Sequence, residues 1–259
     1  MPGDPFYHLE ITAGGCALLV LLNGFPIFSQ ICDGVMIEAP PVNPYLVGLG
    51  NSLVLEASAA PGVTLEAGDL RSVTLVVKMK AFAPGDVVAP ESGEVIAVYD
   101  LAAAPPESRT GLPLTAALTF DTRGPSFRGL LLEGPALPSE EAVRDYALRL
   151  RDLLRSQSLA ELKFEFAPKL RDYVAAYAMG DVDAPGAFAA FLSSEFLPAG
   201  PVLDFDRSEL LIRPWCGGRI AEVTLGGREL LATPPDAEGA QYTLPVFVGQ
   251  VDGQLRVVR

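Results

Sequence analysis

The hydrophobic period of this chain changes twice, and those changes limit what it can fold into. Up to about residue 132, short apolar runs are separated by clusters of Gly, Pro, Asp and Ser. From Pro138-Ser139 the apolar positions repeat at helical spacing; after Gly200 short runs return, punctuated by Gly-Gly and Asp-Gly pairs. A strand buries alternate residues, whereas a helix buries every third and fourth, so separate blocks of each period predict two differently built halves. The expected fold class is mixed: an N-terminal antiparallel β-sandwich over 1–134, then over 139–259 an α+β domain with helices packed on a curved antiparallel meander. A chain of 259 residues that is 49% apolar has material for two cores of ordinary size.

Within the first half, the strongest local signal is the run 16–22, Asn23-Gly24 and the run 25–31, which reads as a two-residue hairpin. In such a hairpin opposed residues sum to 47, which places Cys16 opposite Ile31 and turns Cys32 to the other face unless a bulge intervenes. Further strands are expected at 52–57, 73–81, 94–101, 114–121 and 127–132. The text LLNGFPI followed by APPVNPYLVGLGNSLVLEA resembles the strand, Asn-Gly turn, loop and G-N-x-L-x-L strand of galactose-binding-like and immunoglobulin-like sandwich domains, over residues 10–58. A carbohydrate-binding version of such a domain implies an aromatic platform. Tyr45 or Phe25 would have to supply it, because the only Trp, Trp215, lies in the other half.

In the second half Val143, Tyr146, Ala147, Leu150, Leu153 and Leu154 form one helical stripe, with Ser139 as N-cap and Glu140 and Glu141 in the first turn. Glu140 with Arg144, and Asp145 with Arg149, are acid-before-base pairs at i, i+4. A second helix is expected over 168–179, burying Leu170, Tyr173, Val174 and Tyr177. A third follows the cap Asp183 and buries Phe188, Phe191, Leu192 and Phe196. Residues 162–166 fit a strand or a helical turn. Strands at 209–215, 219–225, 228–232, 241–251 and 254–258 describe a five-stranded meander. This order resembles the cone-shaped fold of nuclear transport factor two and ketosteroid isomerase, and the ending YTLPVFVGQVDGQLRVVR looks like that family's final hairpin. The resemblance implies an apolar pocket, with Tyr173, Tyr177, Asp204, Trp215 and Tyr242 as candidate lining; the family's strand between helices would fall at 162–166.

Chemistry finds little purchase. One histidine, His8, and no Gly-x-Ser-x-Gly elbow argue against a nucleophilic triad. Cys16, Cys32 and Cys216 lack metal-binding spacing. Asp204 with Asp206 reads as strand entry and Asp183, near Asp181, as a cap, while GLGN precedes a strand where a phosphate loop needs a helix. No catalytic residue, cofactor or metal is therefore expected.

Charge is more informative. The chain carries 19 basic and 32 acidic residues, and its first 70 positions hold Asp4, Glu10, Asp33, Glu38, Glu56, Glu66 and Asp69 with no Lys or Arg. Such a stretch repels nucleic acid and anionic lipid and speeds encounter with basic proteins. The apolar runs, such as 17–22, are too short for a spanning helix, and residues 1–22 lack the cationic start of a secretory signal. The leading expectation is an acidic, cytoplasmic, non-enzymatic protein-binding module, an immunity or inhibitor protein for a basic toxin or enzyme, with contacts at Asp33, Glu38, Glu66 and Asp69. A small-molecule or isomerase-like protein using the second half's cavity is the alternative, and a carbohydrate-binding accessory module a further one. Oligomeric state is left open.

Overall fold

The computed structural model describes residues 3–61, 70–105, 107, 109 and 111–259. The chain divides into two compact units, Met1–Leu131 and Leu132–Arg259. Its acidity is shared between them: six basic against 13 acidic residues in the first, 13 against 19 in the second.

The first unit contains two four-stranded antiparallel sheets. One is ordered β4 (Met36–Glu38), β1 (Phe6–Gly14), β6 (Thr74–Phe82), β7 (Glu94–Asp100); the other β3 (Phe25–Cys32), β2 (Cys16–Leu22), β5 (Asn51–Ser58), β8 (Leu114–Phe120). Alternate residues point inward. Leu9, Ile11, Val77 and Met79 from the first sheet join Leu18, Val20, Leu53 and Leu55 from the second in one core, each essentially without solvent contact. At about 1.5–3 kcal/mol per buried large side chain, this face-to-face core is the main force holding the two sheets. The Gly-Asn signal of the sequence also has a physical role. Fully buried Asn51 donates to Gly48 O (2.7 Å) and Thr122 Oγ1 (3.1 Å), and accepts from Val47 N (2.8 Å) and Asn23 Nδ2 (3.0 Å), tying three chain segments together.

The hairpin forms with Asn23 and Gly24 both at positive φ, 54° and 78°. Its register departs from the regular one: Leu21 opposes Pro26 but Val20 opposes Phe28, so Ile27 is an extra residue and every later pair shifts by one. Pro26 has no N–H for the ladder, and the bulge falls beside it. Cys16 consequently stands opposite Cys32. The strand expected at 127–132 is instead a π-helical turn, Gly129–Glu133, because the buried residues Phe127 and Leu131 are spaced i, i+4.

In the second unit α1 (Glu140–Arg155) buries the six residues of the predicted stripe, and Ser139 Oγ accepts from Ala142 N at 3.1 Å. Glu140 pairs with Arg144 as expected, whereas Asp145 turns to Arg207 (2.6 Å) and Arg149 to Glu165 (2.7 Å), tertiary partners having displaced the local pair. The second helix is longer than expected. α2 (Leu159–Ala176) absorbs 162–166 and keeps Pro168 inside. The bond Pro168 removes is the one to the carbonyl of Phe164, a residue on the solvent side, while Leu162 and Phe166 stay buried and hold the helix together. α3 (Ala184–Phe191) starts where Asp183 Oδ1 accepts from Gly186 N at 2.9 Å, and leads into the turn Leu192–Phe196.

The strands follow as β9 (Leu210–Trp215), β10 (Ile220–Leu225), β11 (Arg228–Glu229), β12 (Leu231–Ala232), β13 (Thr243–Leu244), β14 (Val246–Val251) and β15 (Gln254–Val257). The simple five-stranded meander needs correction. β14 pairs directly with β10 through Ile220–Gly249 and Val223–Val246, β11 touches only the end of β10, and β12 with β13 form a separate ribbon. Leu230 and Leu231 are both buried, which breaks strand alternation and lifts the chain out of the sheet. Ala221, Val223, Val246 and Val248 meet Ala147, Leu150, Leu162 and Phe166, so side chains fill the space between helices and sheet.

Candidate functional site

The edge strands β3 and β4 belong to different sheets and are joined by only three residues, 33–35. This connection crosses the margin of the first unit. A Cβ at Gly14 would lie 3.2 Å from both Gly34 O and Val35 Cα, so the crossing packs closely on β1. Beyond β4, Leu9 N donates to Pro40 O (3.0 Å) and Val42 N to Tyr7 O (2.9 Å), which pins the exit.

What this margin shows to solvent is unusual for an edge. Ile31, Val35 and Ile37 are 52%, 65% and 68% exposed, and the carboxylates of Asp33 and Glu38 lie among them on the same exposed segment. Natural edges are commonly protected by lysine or proline, and aliphatic side chains left out on an edge mark a surface that another chain can cover. Ile31 also borders an open groove of about 610 Å³ on the outer face of the second sheet, shared with Ala17, Leu19, Ser58 and Thr115. Glu56 is the one that carries a charge among the described residues that line it. Among the described residues, Asp33, Glu38 and Glu56 make no ion pair within 4.0 Å.

The cation-free stretch is thus only partly a cation-free surface. Glu10 is held by Lys78 and Lys80 of β6, each at 2.8 Å; burial alone would raise its pKa, but these two ammonium groups outweigh burial and leave it lowered. Of the four predicted contacts, Asp33 and Glu38 stand exposed on the margin, and Glu66 and Asp69 lie outside the described residues. The exposed aliphatics escaped the sequence reading. Their signal was present in VMIE, where Val35, Met36 and Ile37 are consecutive and cannot all face one core.

Each candidate cavity residue of the second unit has a contact of its own. Tyr173 and Tyr177 pack on each other with ring centroids 6.0 Å apart, and Tyr242 meets Phe191 edge-on at 5.8 Å. Exposed Asp204 bonds Arg155 (2.9 Å), while Trp215 Nε1 donates to Glu222 (3.1 Å) on the sheet face turned from the helices. Phe25 and Tyr45 likewise form no platform, since Phe25 is buried and stacked on Tyr45 at 4.5 Å.

The inward stripe of α2 carries Glu165, Lys169 and Asp172 among its apolar residues, a charged layer that an earlier helix start would have revealed in the sequence. Glu165, without solvent contact, accepts from Tyr146 Oη (2.8 Å), Arg149 (2.7 Å) and Arg256 (3.4 Å). Burial and this carboxylate push the Tyr146 hydroxyl well above the usual tyrosine range. Fully buried Arg259 bonds Asp172 at 2.7 Å. Burial lowers Lys169 to about 8, with Glu229 opposing and Arg259 adding to the shift; burial and then Glu222 raise Glu229. Glu165, with three donors, and Asp172, held by Arg259, are suited to anchoring α2 against β15 and the residues that follow it. Burial pushes the Cys216 thiol up to about 12, with Arg259 and Arg219 opposing.

Comparison with protein-family models, with characterised proteins and with solved structures gives no match. Among the described residues no cluster of three or more His, Cys, Asp and Glu is arranged to hold a metal ion, and no helix is long and apolar enough to cross a membrane.

Proposed function

We propose that the chain is a protein-binding module that holds a basic partner against the β3–β4 margin of its first unit. The exposure of Ile31, Val35 and Ile37 beside Asp33 and Glu38 carries this reading. Apolar anchors ringed by charge are how protein interfaces divide their work: the anchors supply affinity when they lose water, and the charges raise the association rate and select the partner's sign. An inhibitor or immunity protein acting on a basic toxin or enzyme is the form of this activity that best uses such an acidic surface. The outer edges of β3, beyond the bulge beside Pro26, and of the short β4 add main-chain donors and acceptors for an extended segment of the partner.

The test compares three immobilised proteins exposed to lysate of the source cell in rising salt: the natural chain, Asp33→Asn/Glu38→Asn, and Val35→Ser/Ile37→Ser. The expected result is one basic protein retained by the natural chain, released earlier in salt by the amide variant and not held by the serine variant. Equal retention on all three, or no retained protein, refutes the reading. Because both pairs are exposed, their folding stability should stay within about 0.5 kcal/mol of the natural chain.

A further inference from the structure

We propose that Cys16 and Cys32 are a disulfide-forming pair that bridges β2 to the edge strand β3. The bulge at Ile27 places them directly opposite each other, so both side chains leave the same face of the antiparallel pair. Opposed residues in such a pair have Cα atoms about 4.5–5.5 Å apart, inside the roughly 4.4–6.8 Å that a disulfide spans. In the regular register Cys16 would have faced Ile31, and no bridge would be possible. Both residues are without solvent contact, and both thiols are free in this structure.

The two cysteines are not equivalent. Cys16 is the first residue of β2, an inner strand whose pairing with β5 begins at Ala17, whereas Cys32 is the last residue of the edge strand β3, held from one side. Opening of that strand end exposes Cys32 first. With glutathione disulfide as oxidant, the Cys32 thiolate attacks one glutathione sulfur; the Cys32–glutathione bond forms, the glutathione S–S bond breaks, and one glutathione thiolate leaves. Cys16 then attacks Cys32 Sγ, forming the intrachain bond and expelling the second glutathione. The protein loses two thiol protons and two electrons, and one glutathione disulfide becomes two glutathione thiols. Burial pushes the Cys16 thiol up to about 11, with Cys32 adding to the shift; burial and the neighbouring Asp33 raise Cys32 as well, so exchange waits on the opening of the strand. The bridge closes the stem from which 33–35 emerge, but it stands independently of the binding reading because mass alone detects it.

The full chain is incubated under native conditions with excess glutathione disulfide, quenched in acid and weighed intact. The expected product is lighter by two hydrogen atoms and retains one titratable thiol of the original three, Cys216. Trypsin leaves both cysteines in one fragment, since no Lys or Arg precedes Arg71; chymotrypsin cuts in the turn region between them and should release a linked pair of peptides. Cys16→Ala should stop at a glutathione adduct on Cys32, whereas Cys216→Ala should form the bridge unchanged. Three intact thiols in the natural chain, or glutathione adducts or intermolecular dimers in place of the internal bridge, would overturn the inference whether or not the variants fold.

Discussion

Replacing Glu165 by leucine tests the charged layer under α2 most directly. The change removes the acceptor of three donors in different settings. Arg149 is 54% exposed at its side chain and can turn to water at little cost, but the Arg256 side chain is 9% exposed and Tyr146 is also buried. A buried hydroxyl left without an acceptor costs about 1–3 kcal/mol. Removing one member of a buried ion pair costs about 3–5 kcal/mol, and Arg256 keeps some compensation through Leu255 O at 2.8 Å and the side chain of Gln254. With that compensation the combined cost falls at the low end of the two ranges taken together, about 4 kcal/mol. Urea unfolding followed by tryptophan fluorescence isolates the effect, because Trp215 is the sole tryptophan and belongs to the second unit. With a denaturant slope of about 2 kcal/mol per molar, the midpoint should fall by about 2 M. The triple variant Glu165→Leu/Tyr146→Phe/Arg256→Met should recover most of the loss, since an apolar set of similar volume avoids the desolvation of the charges. A loss below about 1 kcal/mol for the single variant, or no recovery in the triple, would refute the account of Glu165 as a buried charge stabilised by its donors.

Lys169→Met should change the pH dependence of the same transition. The folded-state value near 8 lies below the ordinary 10.5, so between them the unfolded chain holds a proton that the folded chain has released, and the stability of the natural chain relative to the variant should rise by up to about 3 kcal/mol from pH 8 to 10.5. Other groups titrate in both proteins and cancel in the difference; a difference that does not vary with pH would refute the shift. In the first unit, Asn51→Ala should cost about 3 kcal/mol or more by stranding the donors and acceptors it now joins, and Asn51→Asp should be worse at neutral than at acidic pH, because a carboxylate would face Gly48 O and Thr122 Oγ1. Thermal unfolding followed by circular dichroism measures both, and tolerance of either within about 1 kcal/mol would sink the argument.

Legibility tracked the range of the forces involved. The stripe of α1, the Ser139 and Asp183 caps and the Asn23-Gly24 turn depend on residues within a few positions of each other, and all were readable. Pro168 misled because a local breaker was overridden by the burial of Leu162 and Phe166 on the same helix. The candidate site was half legible. Asp33 and Glu38 stood out by charge, but the exposure of Val35 and Ile37 depends on where two sheets end.

By itself, then, the sequence determined the local periods, the helix starts, the tight turns, the two-part mixed architecture and the acidic balance, since each follows from spacing or composition along the chain. Only the tertiary structure decided that Glu10 is neutralised from β6, that Ile27 bulges and brings Cys16 to Cys32, and that β14 rather than β11 runs along β10. Those outcomes turn on pairing between residues far apart in the chain, where a shift of one position reverses every face and no local pattern records which partner wins.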